Sequence, residues 1–178
     1  MRKNTALHAV LLILVLIFIF YWTNESFLSG YSLQLTAFLL LVLIITRRMV
    51  KPTTFRVVES LVSTAAVLLV VSASGGISSP LFFLNYFLLF ELSFLLEPAV
   101  PLFLSAGLIF FYLSTGQVQE STIRLMELLA FPFMTPLAYL FGKLYQKEEN
   151  QKKEIRNLSK KVEELEEELV EEEIKISQ

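Results

Sequence analysis

Glu91 is the ionisable side chain with the most unusual place in this sequence. It interrupts the apolar run Leu81–Leu96 close to the end of that run. A carboxylate inside an apolar helix is costly in lipid, so it should face other helices, be protonated or pair with a neighbour. We expect an intramembrane carboxylate that is protonated and hydrogen-bonded between helices. A place on a transport path is the alternative.

A second candidate site is the segment 74–80, whose sequence is SGGISSP. Its two glycines allow positive φ and a close backbone turn, and its proline can begin the next helix. One interpretation is a compact turn followed by a packed aromatic helix. The other is a ligand site, in which aromatic faces hold a flat apolar molecule and backbone amides and Ser hydroxyls make the polar contacts. The residues of this candidate ligand site are Gly75, Gly76, Ser78, Ser79, Pro80, Phe82 and Tyr86.

Two prolines could act as a hinge. Pro132 and Pro136 lie four residues apart inside the apolar run Ile123–Phe141. Each lacks an N–H and crowds the carbonyl four residues earlier, so we expect a kink, with the Thr135 hydroxyl available to satisfy the freed backbone groups. Gly142 should loosen the exit from this helix. The prolines either shape the packing only or give the kink two angles that carry a signal.

Several kinds of chemistry are excluded by residue usage. The chain has no Cys, no Asp and a single His. Disulfide scaffolds, thiolate metal sites and multi-His sites are therefore ruled out. The motifs GxxxxGK[ST], HExxH and GxSxG are absent as well. We expect no metal site, no catalytic residues and no enzyme within this chain.

The elements that position these residues are apolar helices. Of the 178 residues, 54% are hydrophobic and 18% are charged. A hydrocarbon core about 30 Å thick requires about 20 apolar residues in a helix. Six runs approach that length, which predicts an all-α, polytopic membrane bundle of six transmembrane helices. They are Leu7–Thr23, Tyr31–Thr46, Val57–Ala73, Leu81–Leu96, Val100–Thr115 and Ile123–Phe141.

The distribution of Lys and Arg predicts the orientation of the bundle. Four basic residues lie within 47–56 and four within 143–153, whereas the connections 24–30, 74–80 and 116–122 contain none. Because basic residues favour the cytoplasmic side, both termini should be cytoplasmic in a multi-pass protein of the cell inner (plasma) membrane.

Residues 143–178 differ sharply from residues 1–142, so we expect two domains that meet at this boundary. The C-terminal segment contains no Gly or Pro, and its apolar residues recur at steps of three and four. β-Branched residues at heptad position a, with Leu at d, favour a parallel homodimeric coiled coil. A solvated acidic helix without a partner is the alternative, and no nucleic-acid motif is present. The predicted coiled-coil seam comprises Ile155, Leu158, Val162, Leu165, Leu169 and Ile176.

Residues 75–82, GGISSPLF, resemble the GGxxNPF-type turn in the membrane sensor domain of redox-responsive histidine kinases. They also resemble the GGxxSPF-type turns of other multi-span kinase sensors. The resemblance implies a six-span sensor domain followed by a cytoplasmic helix, and it implies a quinone ligand. Ser79 stands in place of the Asn, and Leu81 in place of the Phe. Residues 1–178 contain neither a phospho-acceptor His box nor an ATP-binding lobe, so we expect a sensor part or a stand-alone input module.

These observations predict a membrane-embedded sensor or signal-input module. It would pass a stimulus to a cytoplasmic signalling protein through its dimeric coiled coil. Two alternatives stay open. One is a small transporter or channel subunit, with Glu91 and the proline-containing sixth span along the path. The other is a membrane scaffold that recruits a partner by its coiled coil.

Overall fold

The computed structural model describes residues 2–115 and 122–176, with the side chains of 2–6, 52–53, 123 and 170–176 outside the description. Helix makes up 89% of the structure, and the described ranges contain no strand. The all-α prediction is therefore confirmed. The helices are α1 (Arg2–Asn24), α2 (Ser26–Ser29), α3 (Ser32–Met49), α4 (Pro52–Ala73), α5 (Leu84–Leu95), α6 (Val100–Ser114) and α7 (Thr122–Ile176), with a 3-10 turn at Gly76–Ser78 between α4 and α5.

Four of the described helices are long and apolar enough to cross a membrane. Their apolar segments lie in α1, α3, α4 and α7. The apolar helices α5 and α6 have 12 and 15 residues. At about 1.5 Å per residue, they span roughly 18 and 22 Å, less than a typical hydrocarbon core. The chain therefore has helices typical of a membrane protein.

The start of α5 differs from the prediction, because Pro80 does not begin the helix. The Ser79 hydroxyl accepts a hydrogen bond from the Leu81 N–H at 3.0 Å, and the Phe82 N–H bonds to the Ser79 carbonyl at 3.0 Å. Such short-range bonds carry the chain through tight turns as far as Leu84, where α5 begins. Hydropathy does not reveal these turns, since the residues within them are as apolar as those of the helix.

The first unit of the fold, Met1–Gly142, is organised around α4. This helix contacts α1, α3 and α5, and α6 contacts both α1 and α5. Hydroxyls on α4 are accommodated within the packing because Ser60 and Thr64, both fully buried, donate to the carbonyls of Val57 and Ser60 at 2.7 Å. The fully buried side chains of this unit include Ile19, Leu68, Leu69, Leu89, Leu92, Leu108 and Phe131.

The second unit, Lys143–Gln178, consists of the remainder of α7 in the described residues. Lys152 and Lys153 form ion pairs with Glu148 and Glu149 one turn earlier, at 2.6 and 3.0 Å. The hydrogen bond to Glu148 raises the pKa of Lys152. These exposed ion pairs contribute little to the stability of this helical segment. Intrinsic helix propensity and packing against any partner must therefore supply most of its stability.

Candidate functional site

The glycine turn between α4 and α5 has the backbone that its sequence predicts. Gly75 and Gly76 have φ values of +119° and +61°, and they are the described residues with positive φ. A Cβ at position 75 would have ordinary contacts, the nearest being 3.7 Å from the Ser79 nitrogen. The requirement for glycine at this position is therefore conformational, because L side chains rarely adopt such a φ.

The serines of the turn bond mainly to the turn itself. The hydroxyls of Ser74 and Ser79 lie 2.5 Å apart, and Ser74 also donates to the Val70 carbonyl at 2.7 Å. Ser79 is buried, whereas Ser78 is exposed. Of the two serines predicted to contact a ligand, Ser79 is thus already engaged inside the protein, and Ser78 faces outward.

Phe82 lies at the centre of an aromatic cluster that joins three helices. Its ring centroid lies 5.8 Å from that of Tyr86, 5.1 Å from that of Tyr112 and 6.0 Å from that of Phe131. Phe82 is buried, with 4% of its surface exposed. Its neighbours are therefore other rings in edge-on contact, an arrangement typical of packed aromatic side chains.

Beside this cluster lies a buried amide, that of Asn85, which belongs to none of the predicted sites. The Asn85 Nδ2 donates to the Tyr112 hydroxyl and to the Phe82 carbonyl, both at 3.0 Å. Asn85 is fully buried, and its Oδ1 has no hydrogen-bond partner. The available signal was that Asn85 is the sole amide side chain in the apolar run Leu81–Leu96.

A polar-lined cavity of about 120 Å³ brings Gly76 together with helices far away in the sequence. Hydroxyl and amide side chains make up most of its wall. Of the candidate ligand residues, Gly76 is the one that lines this cavity. It is lined by Thr23, Asn24, Ser72, Gly76, Phe111, Tyr112 and Thr115.

Phe111 also lines a second space, an apolar groove of about 250 Å³ between α1 and α6. The helices approach closely there, because a Cβ at Gly107 would come within 2.5 Å of the Leu16 Cδ1 atom. The groove is lined by Ile13, Leu16, Ile17, Phe20, Gly107, Phe110 and Phe111.

Glu91 has a hydrogen-bonded partner on another helix. The Ser63 hydroxyl of α4 donates to the Glu91 Oε2 of α5 at 2.8 Å. Glu91 is half-buried, while Phe87 and Phe94 on its helical face are exposed. The carboxyl group thus lies at the contact between α4 and α5. Among the described residues, no group of three or more His, Cys, Asp or Glu could hold a metal ion.

Two hydrogen bonds connect α5 to backbone carbonyls of α7. The Tyr86 hydroxyl donates to the Glu127 carbonyl at 2.7 Å, and the Ser93 hydroxyl donates to the Ala138 carbonyl at 2.6 Å. A Cβ at Gly142 would collide with the Ser93 hydroxyl, so the two helices can approach this closely only because residue 142 is glycine.

The proline pair lies inside α7, and the helix continues through both residues. Pro132 and Pro136 are exposed. The Thr135 hydroxyl donates to the Phe131 carbonyl at 2.7 Å. That carbonyl is not one of the two freed by the prolines, so the role expected of Thr135 was wrong. The role of the prolines as a hinge stays a prediction.

In the second unit, the predicted seam forms an exposed apolar stripe. Its five described members have between 54% and 66% of their surface exposed. The side chain of Ile176 lies outside the description. The stripe available for pairing comprises Ile155, Leu158, Val162, Leu165 and Leu169.

Comparison with known proteins leaves the geometry as the basis for a functional assignment. No protein-family model matches the chain. No curated protein and no solved structure matches it either.

Proposed function

We propose that this chain is a membrane-embedded signal-input module with six membrane-crossing helices and both termini in the cytoplasm. A stimulus at the outer end of the bundle changes the position of α7, and a parallel homodimeric coiled coil passes the change to a cytoplasmic signalling partner. The observation that carries the proposal is that α7 contains both the residues that pack on α5 and the apolar heptad stripe.

The topology is supported by charge. The connections on the proposed outer side contain no Lys or Arg among residues 24–30, 74–80 and 116–122, while basic residues cluster at 47–56 and after residue 142. With the ends so placed, the short helices α5 and α6 cross the bilayer together with their flanking turns. Local thinning of the bilayer accommodates the remaining mismatch.

The route from the turn to α7 is supported by a short series of contacts. The turn connects directly to Phe82, whose ring packs against Phe131 of α7, and one helical turn later Tyr86 bonds to the Glu127 carbonyl. A ligand that favours one arrangement of the glycine turn therefore biases the position of α7. The shift in this equilibrium cannot exceed the difference between the ligand's binding free energies for the two arrangements.

The partner of the heptad stripe is a second copy of the chain. Ile155, Val162 and Leu169 occupy position a, and Leu158 and Leu165 occupy position d. This combination favours two parallel strands. In that register, Lys161 at position g lies opposite Glu166 at position e of the other chain, which adds an attractive pair on each side of the seam.

The alternative of a small transporter rests on Glu91. The hydrogen bond between Glu91 and Ser63 links two helices, as expected of a carboxyl group with a structural role. Transport of a solute into proteoliposomes is the measurement that would favour the transporter instead. A membrane scaffold that transmits no signal is the third hypothesis. It differs from an input module in having a coiled coil that does not respond to changes in the bundle.

The decisive experiment grafts a histidine-kinase catalytic core after Gln178 in a heptad-compatible register. One to seven residues are then inserted after Lys147. An input module should give kinase output that varies with insert length and returns when seven residues restore the register. Output that is independent of insert length would contradict transmission through the coiled coil. A matched series inserted after Ser29, outside the coil, controls for general effects of insertion.

A further inference from the structure

The polar cavity and the apolar groove lie end to end along one pair of helices. On α1, the groove residues Ile13 and Phe20 precede the cavity residue Thr23. On α6, Gly107 of the groove precedes Thr115 of the cavity by eight residues. Steps of three, four or seven residues keep side chains on one helical face. α1 and α6 are in contact, and Phe111 lines both spaces, so we refer to the two neighbouring spaces together as the α1–α6 cleft.

The groove portion of the cleft is apolar and borders the surroundings of the bundle. Ile17 and Phe110 in its walls are 59% and 73% exposed. From Ile13 to Phe20 it runs about 10 Å by helical rise. It is bounded by only two helices, whose backbones come close at Gly107. Such a groove accommodates one slender hydrocarbon chain.

The cavity portion is polar but carries no acidic or basic side chain. The Thr23 hydroxyl donates to the Ile19 carbonyl at 2.9 Å, and the Thr115 hydroxyl donates to the Tyr112 carbonyl at 2.8 Å. Their oxygens therefore remain as acceptors, while the Ser72 hydroxyl and the Asn24 amide can both donate and accept. A charged head would lose hydration there without gaining a counter-charge, whereas a small uncharged polar head would be well solvated.

We propose that the α1–α6 cleft binds a neutral single-chain amphiphile, with its hydrogen-bonding head in the cavity and its chain in the groove. Phe111 lines both portions and marks the boundary between head and chain. Gly76 of the turn lines the head portion, so the bound head contacts the turn that leads to α5. The proposal rests on the proposed function for its membrane setting, and it gives that function a ligand class.

The test uses a monoacylglycerol with a photoactivatable diazirine on its chain as the probe, with the full chain in phosphatidylcholine nanodiscs. Labelled peptides should map to residues 13–20 and 107–111. Unlabelled monoacylglycerol should compete. Lysophosphatidylcholine of the same chain length should not, because its zwitterionic head carries two formal charges that the cavity does not compensate. Labelling spread over the exposed faces of α1 and α3 alike, without competition, would show bulk-lipid contact only and overturn the proposal.

Two matched pairs of variants sharpen the result. Ile17→Trp fills the groove and should abolish the competed labelling, whereas Ile44→Trp, on the exposed side of α3, should leave it unchanged. Ser72→Ala should weaken competition about three- to tenfold, the loss of one neutral hydrogen bond, and Ser29→Ala should not. Equal effects within either pair would contradict the assignment.

Failure of this proposal is distinguishable from failure of the proposed function. Crosslinking of the coiled coil through Leu158→Cys can be measured in the same nanodiscs. If the probe maps to the cleft and the coil does not respond, the ligand site stands and the signalling role fails. If the coil responds to changes in the bundle but the probe does not map to the cleft, the signalling role stands and this ligand class is wrong.

Discussion

The Ser93 hydroxyl on α5 donates to the Ala138 carbonyl on α7 at 2.6 Å, and the same hydroxyl occupies the space that a side chain at Gly142 would need. One serine thus fixes both the spacing and the register of the two helices. Any movement of α5 along its axis must break this bond or carry α7 with it. Together with the contacts of Phe82 and Tyr86, it is therefore a place in the bundle unit where the proposed signal passes from α5 to α7.

Replacing Gly142 tests this contact directly. In an exposed helix position Gly→Ala stabilises by roughly 1 kcal/mol, but here the new Cβ overlaps Ser93, so we expect Gly142→Ala to destabilise by about 1–3 kcal/mol. Thermal unfolding in detergent is the measurement. Gly30→Ala is the control, because its Cβ would meet only the Phe27 carbonyl, at 3.7 Å. In the double variant Ser93→Ala with Gly142→Ala, removal of the Ser93 hydroxyl should recover part of the lost stability. A Gly142→Ala protein as stable as wild type would contradict this contact.

Gly75→Ala tests the backbone of the turn. With φ at +119°, an L side chain is strained although space is available, so we expect a loss of about 1–3 kcal/mol. Ser78→Ala, in the same turn at an exposed position, should change the unfolding temperature little. A similar stability for both variants would indicate that the turn adopts another conformation.

Glu91→Gln should leave stability within about 1 kcal/mol of wild type, because the amide oxygen can still accept from Ser63. Glu91→Leu should lower the free energy of unfolding more than Glu91→Gln does, because it leaves the Ser63 hydroxyl without this acceptor. Unfolding in detergent and solute uptake by proteoliposomes are measured together. If the wild-type protein takes up solute and Glu91→Gln abolishes that uptake, Glu91 has a role in transport and not only in structure.

A charge exchange tests the orientation of the coiled coil. Lys161→Glu and Glu166→Lys should each weaken the dimer by about 0.2–1 kcal/mol per pair, and the double exchange should restore it. The readout is disulfide crosslinking through Leu158→Cys, which introduces the only thiol because the chain has no Cys. Lys160→Glu, at the outward f position, is the control. Failure of the double exchange to recover crosslinking would exclude the parallel register.

Pro132→Ala with Pro136→Ala tests the hinge. Both prolines are exposed, so their loss removes no core packing, and two backbone N–H groups are regained. We expect a more stable, straighter α7 and a kinase graft locked in one output state. If the kinase graft with both substitutions still responds to the stimulus, the prolines affect only helix packing and do not act as a hinge.

The long helices could be predicted from the sequence because their apolar runs carry the signal themselves. Val57–Ala73 ends where α4 ends, and Leu7–Thr23 stops one residue short of the end of α1. The start of α5 could not be predicted in this way. It depends on bonds from Ser79 to the residues after Pro80, and the hydropathy of these residues does not differ from that of the helix.

The candidate site was only partly predictable, for a different reason. Gly75 and Gly76 are recognisable because the turn chemistry is local. The pairing of Asn85 with Tyr112, 27 residues later, and the meeting of Thr23, Ser72 and Thr115 in one cavity depend on helix packing. No spacing along the chain encodes these neighbours.

The most direct test of the central claim is the distance between two copies of the coiled coil when the α5–α7 contact is broken. A spin label at Lys160→Cys, outside the seam, reports this distance in the full chain reconstituted in bilayers. If α7 transmits the signal, Ser93→Ala shifts the distance distribution, whereas Ser29→Ala, which removes an exposed hydroxyl elsewhere, leaves it unchanged. Identical distributions for wild type and both variants would contradict transmission through α7.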